Sequence, residues 1–164
     1  MAKNKPLFID RDGVINRSAV LPGYTRFVEE FEFLPETFES LQKLRDAGYD
    51  FYIITNQAGI ARGQASREEI DVIHEYMKTE LNKHGVVLRG IYMCPHQDSD
   101  NCDCRKPKPG LLLQAISEHN LEPKDVIFVG DRKTDMEAAE AAGARGILIP
   151  SEVGLRAALE KLIT

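Results

Sequence analysis

The 164-residue chain contains no run approaching the roughly 20 apolar residues that a membrane-spanning helix requires. Its opening stretch, MAKNKPLFID, lacks the apolar core of a secretory signal, so a cytoplasmic location is expected. A basic stripe is also missing. The net charge is −5, and Lys and Arg are scattered apart from one short run at 105–108, which weighs against a nucleic-acid partner. There is no internal repeat, no low-complexity segment and no compositional break, so a single domain over 1–164 is expected, and a monomer. Cysteine is scarce, and all three (Cys94, Cys102 and Cys104) lie within eleven residues. In a reducing compartment such a cluster points to metal binding or catalysis rather than to a disulfide.

What is present is ordinary for a globular domain: 43% apolar and 29% charged residues, enough for a real hydrophobic core. Strand-like and helix-like segments alternate. Buried strands are expected at 6–10, 49–55, 90–94, 125–130 and 146–149. Helices are expected at 34–48, 66–85, 109–120, 134–142 and 151–163, with Pro35 at the first position of the first helix and Gly48 as its stop. Ser66 and Glu69 form a capping-box pattern ahead of the apolar stripe Ile70, Ile73, Met77 and Leu81. Such a rhythm implies an α/β fold: a Rossmann-like three-layer αβα sandwich around a parallel sheet. Ligands of such sheets bind beyond the carboxyl ends of the strands.

Those ends carry the chemistry. Asp10 and Asp12 follow the first strand, and Thr55, Asn56 and Gln57 the second. The cysteine loop and Lys106 follow the third, and Asp131 and Asp135 the fourth. Crowded carboxylates repel unless a cation joins them, and Mg²⁺ prefers hard oxygen ligands shared with phosphate. Asp10 suits a nucleophile that becomes an aspartyl phosphate, and Asp12 the acid that protonates the leaving oxygen and then deprotonates water. Thr55 and Lys106 suit stabilisation of the transferred phosphoryl group. Each has a bland alternative: Lys106 a solvated surface charge, Asp131 a helix N-cap, Thr55 a structural hydroxyl. Their order, each after its own strand, carries the functional reading.

Cys94, His96, Cys102 and Cys104 make a Cys₃His set suited to tetrahedral Zn²⁺, in a loop at 94–104. Four protein ligands leave no open position, so the zinc is expected to be structural. It would freeze the loop that carries Arg105 and Lys106.

The segments FIDRDGVIN, IITNQ, CRKPKPG and VGDRKTD resemble the four motifs of the haloacid dehalogenase-like phosphohydrolases, over residues 6–149. The resemblance implies a Mg²⁺-dependent phosphomonoesterase with Asp10 as nucleophile, Asp12 as general acid/base, and Thr55 and Lys106 as the phosphoryl-stabilising pair. It implies Mg²⁺ ligation by Asp10, the backbone carbonyl of Asp12 and Asp131, with Asp135 behind them. No segment suffices for a large cap domain. The zinc loop narrows the resemblance to a capless branch that acts on heptose bisphosphate or histidinol phosphate. TNQAGIARG (55–63) and FEFLPE (31–36) are similar to the heptose side, which serves lipopolysaccharide core precursor synthesis, whereas the short gap between His96 and Cys102 is closer to the histidinol side. The resemblance further implies that Gly23, Tyr24, Asn56, Gln57, Ala58, Arg105 and Arg132 contact a small phosphorylated sugar. Two rivals remain: a receiver-like phosphorylation switch, whose acceptor Asp would be expected after the third strand, and a phosphatase of nucleic-acid ends.

Overall fold

The computed structural model describes residues 3–19 and 23–163. Five strands form one sheet: β1 (Lys5–Ile9), β2 (Tyr49–Asn56), β3 (Leu88–Cys94), β4 (Ile127–Gly130) and β5 (Arg145–Leu148). Their order is β3-β2-β1-β4-β5, and every pairing is parallel. The connections are α1 (Thr37–Asp46), α2 (Arg67–Lys83), α3 (Gly110–Glu118) and α4 (Lys133–Ala141). A short α5 (Leu159–Leu162) follows a 3-10 turn at Leu155–Ala158.

Strand alternation decides the layers. Leu7 and Ile9 of β1, with Phe51 and Ile53 of β2, face a core filled by Leu41 and Leu44 of α1, Ile70, Ile73, Met77 and Leu81 of α2, and Leu162 of α5. Phe8, Tyr52 and Ile54 face the other way, against Leu111, Leu112, Ala115 and Ile116 of α3 and Ala138 and Ala139 of α4. The expected αβα sandwich is therefore the observed fold.

The capping box of α2 forms as its spacing requires: Glu69 N–H donates to Ser66 Oγ at 3.1 Å and Ser66 N–H to Glu69 Oε1 at 2.9 Å. Two expected boundaries differ. α1 starts at Thr37 rather than around Pro35, because Glu36 takes a left-handed conformation (φ 63°) that no helix continues through. The last helix is shorter than 151–163, because Gly154 at φ 90° breaks the chain ahead of it.

Because β2 and β3 lie on one side of β1 and β4 and β5 on the other, the winding reverses between β1 and β4. There the flanking connections leave in opposite directions and open a crevice. In register, Ile9 pairs with both Ile53 and Val129, so β1 and β4 end at nearly one level while β2 runs on to Asn56. The long connection from β1 to α1 crosses above this edge. It is pinned by isolated bridges from Asn16 to Asp12 and to Phe33; residues 20–22 within it lie outside the described residues. Among the described residues no second sheet or helical layer covers the crevice.

Phe8 is fully buried at the sheet centre. Phe8→Ala is expected to cost roughly 3–5 kcal/mol, whereas Val72→Ala, at 59% exposure on α2, should stay within about 0.5 kcal/mol of the parent. Urea unfolding followed by circular dichroism checks both.

Candidate active site

At the switch point three carboxylates converge. One oxygen each from Asp10, Asp131 and Asp135 lies within 4.8 Å of the others. Lys106 enters from the cysteine loop, only 4% exposed. Its Nζ contacts Asp10 Oδ1 at 2.9 Å and Asp135 Oδ1 at 2.7 Å, and donates to the Ile54 carbonyl at 3.1 Å. The bland reading of Lys106 as a solvated cation therefore does not apply. Burial pushes the Asp10 carboxyl up to about 8, with Asp135 and Asp131 adding to the rise and Lys106 opposing it. Burial alone would lower the Lys106 ammonium, but Asp10 and Asp135 more than offset that and raise it.

Asp135 lies beside Asp10 and Asp131, and its Oδ1 is held by Lys106. Its Oδ2 also accepts the backbone N–H groups of Asp131 and Arg132 at 3.2 and 3.1 Å, so both oxygens are committed. Gly130 makes this possible, since a Cβ there would come within 2.4 Å of Asp135. Asp131 differs. Ser151 Oγ donates to its Oδ2 at 2.7 Å, while its Oδ1 is buried with no hydrogen-bond partner. It is not a helix N-cap; Arg132 occupies that position of α4. Gly13, at φ 85°, lets the chain pass over Asp131, where a Cβ would meet Oδ2 at 2.1 Å.

Asp12 is held in a separate hydrogen-bond system. Arg11 Nε and Nη2 donate to its Oδ1 at 3.1 and 2.8 Å, Asn16 Nδ2 donates to the same oxygen at 3.0 Å, and Gln57 Nε2 donates to Oδ2 at 3.0 Å. Burial alone would push the Asp12 carboxyl up, but Arg11, with Asn16 and Gln57, holds it below the ordinary carboxylate value. Arg11 is fully buried, and its Nη1 lies 3.0 Å from His74 Nε2. Guanidinium nitrogens only donate, so Nε2 accepts and the imidazole is neutral.

The other expected residues fall into two groups. Gly23, Tyr24, Asn56, Ala58, Arg105 and Arg132 line a cavity of about 380 Å³ together with Asp10, Asp12 and Lys106. Thr55 and Gln57 are 1% and 3% exposed and sit beneath it, with Gln57 Nε2 donating to Thr55 Oγ1 at 2.8 Å. Gln57 thus braces Thr55 and Asp12 rather than facing the opening. Asn56 has a second contact: its amide clamps the Lys106 peptide from both sides, Nδ2 to the carbonyl and Oδ1 from the N–H, each at 3.2 Å.

The sulfur and imidazole atoms of Cys94, His96, Cys102 and Cys104 also lie within 4.8 Å of one another, and no disulfide joins them. Neighbouring ligand atoms are 3.0–3.6 Å apart. Tetrahedral bonds of about 2.1–2.3 Å give edges of roughly 3.4–3.8 Å, so the donor set fits one tetrahedral ion. Gly110, opening α3, packs flush against this loop; a Cβ there would strike the Asp103 carbonyl at 2.2 Å. Arg105 Nε pairs with Asp98 Oδ1 at 2.7 Å, and its Nη1 donates to the His96 carbonyl at 3.3 Å.

Arg11, Asn16, His74 and Arg62 were not anticipated as site residues. The signal for His74 was available: it interrupts the apolar stripe of α2 between Ile73 and Met77.

A HAD-hydrolase-like family model matches residues 103–164. The D-glycero-beta-D-manno-heptose-1,7-bisphosphate 7-phosphatase of Pasteurella multocida is 41% identical, over 88% of this chain and 80% of that protein. The enzyme of the same name from Helicobacter pylori strain 26695 is 41% identical, over 91% and 85%. The crystal structure of a D,D-heptose 1,7-bisphosphate phosphatase from B. bronchiseptica, complexed with magnesium and phosphate, superposes with a TM-score of 0.85. It has 31% identity and covers 95% of this chain and 86% of that one.

Burial, and secondly the Arg11 charge, push the His74 imidazole down from 6.5 to about 3. As pH falls below 6.5, the unfolded chain takes up a proton that the folded one refuses, so stability is lost progressively until the folded value is reached. His74→Gln keeps an acceptor for Arg11 but cannot titrate. Wild type is expected to lose stability relative to this variant by up to about 1.4 kcal/mol per pH unit in that range. Urea midpoints measured in parallel at several pH values test this, and parallel curves would refute it.

Proposed function

We propose, from the premise that the chain belongs to the haloacid dehalogenase-like phosphatases, that it removes the 7-phosphate of D-glycero-D-manno-heptose 1,7-bisphosphate through an aspartyl-phosphate intermediate on Asp10. The observation that carries this reading is the buried Lys106–Asp10 contact at 2.9 Å, set at the β1/β4 switch point beside Asp131 and Asp135.

Lys106 engages Oδ1 of Asp10, while Oδ2 receives no hydrogen bond among the described residues and is the oxygen available to attack phosphorus. Lys106 then balances charge on the phosphoryl group, and the Thr55 hydroxyl, held by Gln57, hydrogen-bonds the same group. Asp12, aimed by Arg11, Asn16 and Gln57, takes up the proton that the phosphate monoester brings in its monoanionic form, whose second pKa is about 6, and passes it to the departing sugar oxygen. In the second step it takes a proton from the water that cleaves the acyl phosphate. Asp10, Asp131 and the backbone carbonyl of Asp12 would hold Mg²⁺. The unpartnered Oδ1 of Asp131 fits a cation, whereas Asp135 has no oxygen to spare. Bound there, the ion supplies charge neutralisation for the phosphate approaching a carboxylate.

Zinc in the Cys94, His96, Cys102 and Cys104 set is the second metal of this reading, with a structural role. It ties the loop that carries Arg105 and Lys106. The cavity walls favour an anionic distal group: Arg62, Arg105 and Arg132 line them, and Asp98, the acid at that end, is already taken by Arg105. Histidinol phosphate would bring an amine to the same place. Among the described residues no helix is long and apolar enough to cross a membrane; the reading places the enzyme in the cytoplasm as a single-domain, capless monomer. A receiver-like switch would keep its acyl phosphate, whereas the held Asp12 equips this site to release it.

Asp10→Asn should abolish Mg²⁺-dependent turnover while leaving the circular dichroism spectrum intact; near-normal kcat would refute nucleophilic catalysis by Asp10. Wild type is expected to show a higher kcat/KM on heptose 1,7-bisphosphate than on histidinol phosphate, and the reverse order would reassign the substrate. Cys102→Ser should lose zinc by elemental analysis, keep its secondary structure and lose kcat by roughly 10- to 100-fold, since small misplacements of catalytic groups carry such penalties. Full activity without zinc would refute the positioning role.

A further inference from the structure

Arg62 was absent from every expectation, yet it lines the same cavity as Asp10 and Lys106. Its backbone sits in the turn after β2, where Arg62 N–H donates to the Ala58 carbonyl at 3.1 Å. Its guanidinium donates through Nη1 to the Tyr24 hydroxyl and lies 6.0 Å from the Tyr24 ring centroid. Tyr24 is itself seated: its ring packs flat on Gly59, where a Cβ would come within 2.8 Å of it. The first long connection and the turn after β2 thus build one wall from Tyr24, Gly59 and Arg62.

The charges around this wall are unequal. Arg105, expected to contact the phosphorylated sugar, already has a carboxylate partner in Asp98 and a carbonyl partner in His96. Arg132 follows Asp131 directly and so belongs to the reacting end. Arg62 forms no ion pair among the described residues: the acid whose charge it meets, Asp98, is paired with Arg105, and the Tyr24 hydroxyl accepts from Arg62 and aims it. A guanidinium held in place, but not neutralised, offers a phosphate a charge-assisted, bidentate contact with little ordering left to do. A cation already tied to a carboxylate has to give up that pair first.

We infer that Arg62, anchored on Tyr24, binds the phosphate that is not hydrolysed and is the principal determinant of selectivity for sugar bisphosphates over simple monoesters. The inference rests on the sugar-bisphosphate reading above and deepens it. Because the distal phosphate is equally charged in the ground and transition states, its contact is of the uniform kind, and its loss falls mainly on KM.

The test compares wild type, Arg62→Ala, Arg62→Lys and Tyr24→Phe in the Mg²⁺-loaded enzyme. Two substrates are used, heptose 1,7-bisphosphate and p-nitrophenyl phosphate, together with inhibition of the second reaction by mannose 1-phosphate. In Arg62→Ala the ratio of kcat/KM for the bisphosphate to that for the monoester should fall roughly 10- to 100-fold, mostly through KM. Arg62→Lys should recover part of the ratio, because it restores the charge without the fork. Tyr24→Phe should lower it less than Arg62→Ala. If wild type prefers the bisphosphate and the ratio survives Arg62→Ala, the functional reading stands and the role of Arg62 is overturned. If wild type shows no preference for the bisphosphate, the functional reading fails, and the inhibition series decides on Arg62 separately. Weaker mannose 1-phosphate inhibition in Arg62→Ala then supports a phosphate site there, and an unchanged inhibition constant removes it.

Discussion

An ammonium buried between two carboxylates, Lys106 against Asp10 and Asp135, is the interaction around which the rest of the site is arranged. Each of these charges would be costly to bury alone, and each is tolerated because the others are present. Their meeting needs three separate chain segments to arrive at one point. The parallel sheet supplies that point by ending β1 and β4 side by side where the winding reverses. Asp135 adds a second function by capping the peptide N–H groups at the start of α4, so the same carboxylate fixes the helix and the lysine.

Three acids around one ammonium leave an excess of negative charge, which matches the raised Asp10 and the unpartnered Asp131 oxygen. Asp12 escapes this crowding because it has its own cation. The fully buried Arg11 holds it from one side and is itself held by a neutral His74 on α2. The two aspartates of one DRD triplet therefore work in different electrostatic settings. One is destabilised as an anion by burial and by its neighbouring acids; the other is held by donors on both of its oxygens. Separate environments for neighbouring carboxylates are what acid–base division of labour requires.

Lys106 is secured twice. The cysteine loop brings it to the crevice, and the Asn56 amide grips its peptide on both sides. Packing of Gly110 against Asp103 and Cys104 joins the same loop, with its cysteines and His96, to α3. Another part of the wall is built from the first long connection and the turn after β2, through Tyr24 on Gly59, and Ala61 N–H ties that turn to the Pro95 carbonyl of the cysteine loop at 3.2 Å. Sheet ends thus supply the carboxylates of the crevice, while loops supply Lys106 and the arginines that line it.

The sequence by itself determined the five strands and their helices, because apolar periodicity and caps such as Ser66–Glu69 are local properties. It also determined the roster of acids at strand ends and the Cys₃His set, since those residues cluster at short spacing. Boundaries set by backbone conformation escaped it: Glu36 and Gly154 reset the starts of two helices through positive φ angles. So did residues whose role depends on a distant partner. Nothing local to DRD distinguishes a buried Arg11 from a solvated one; its burial rests on His74, 63 residues away, as well as on the neighbouring Asp12. Arg62 has no local signal that marks it; folding sets it beside Tyr24, 38 residues earlier in the chain. Asp135 lies beside Asp10 and Asp131 because Gly130 leaves room for it and Lys106 holds it. Pairing energies between groups far apart in sequence exist only once the sheet has brought them together, and so the tertiary structure alone decided which charges are neutralised and which remain free to bind.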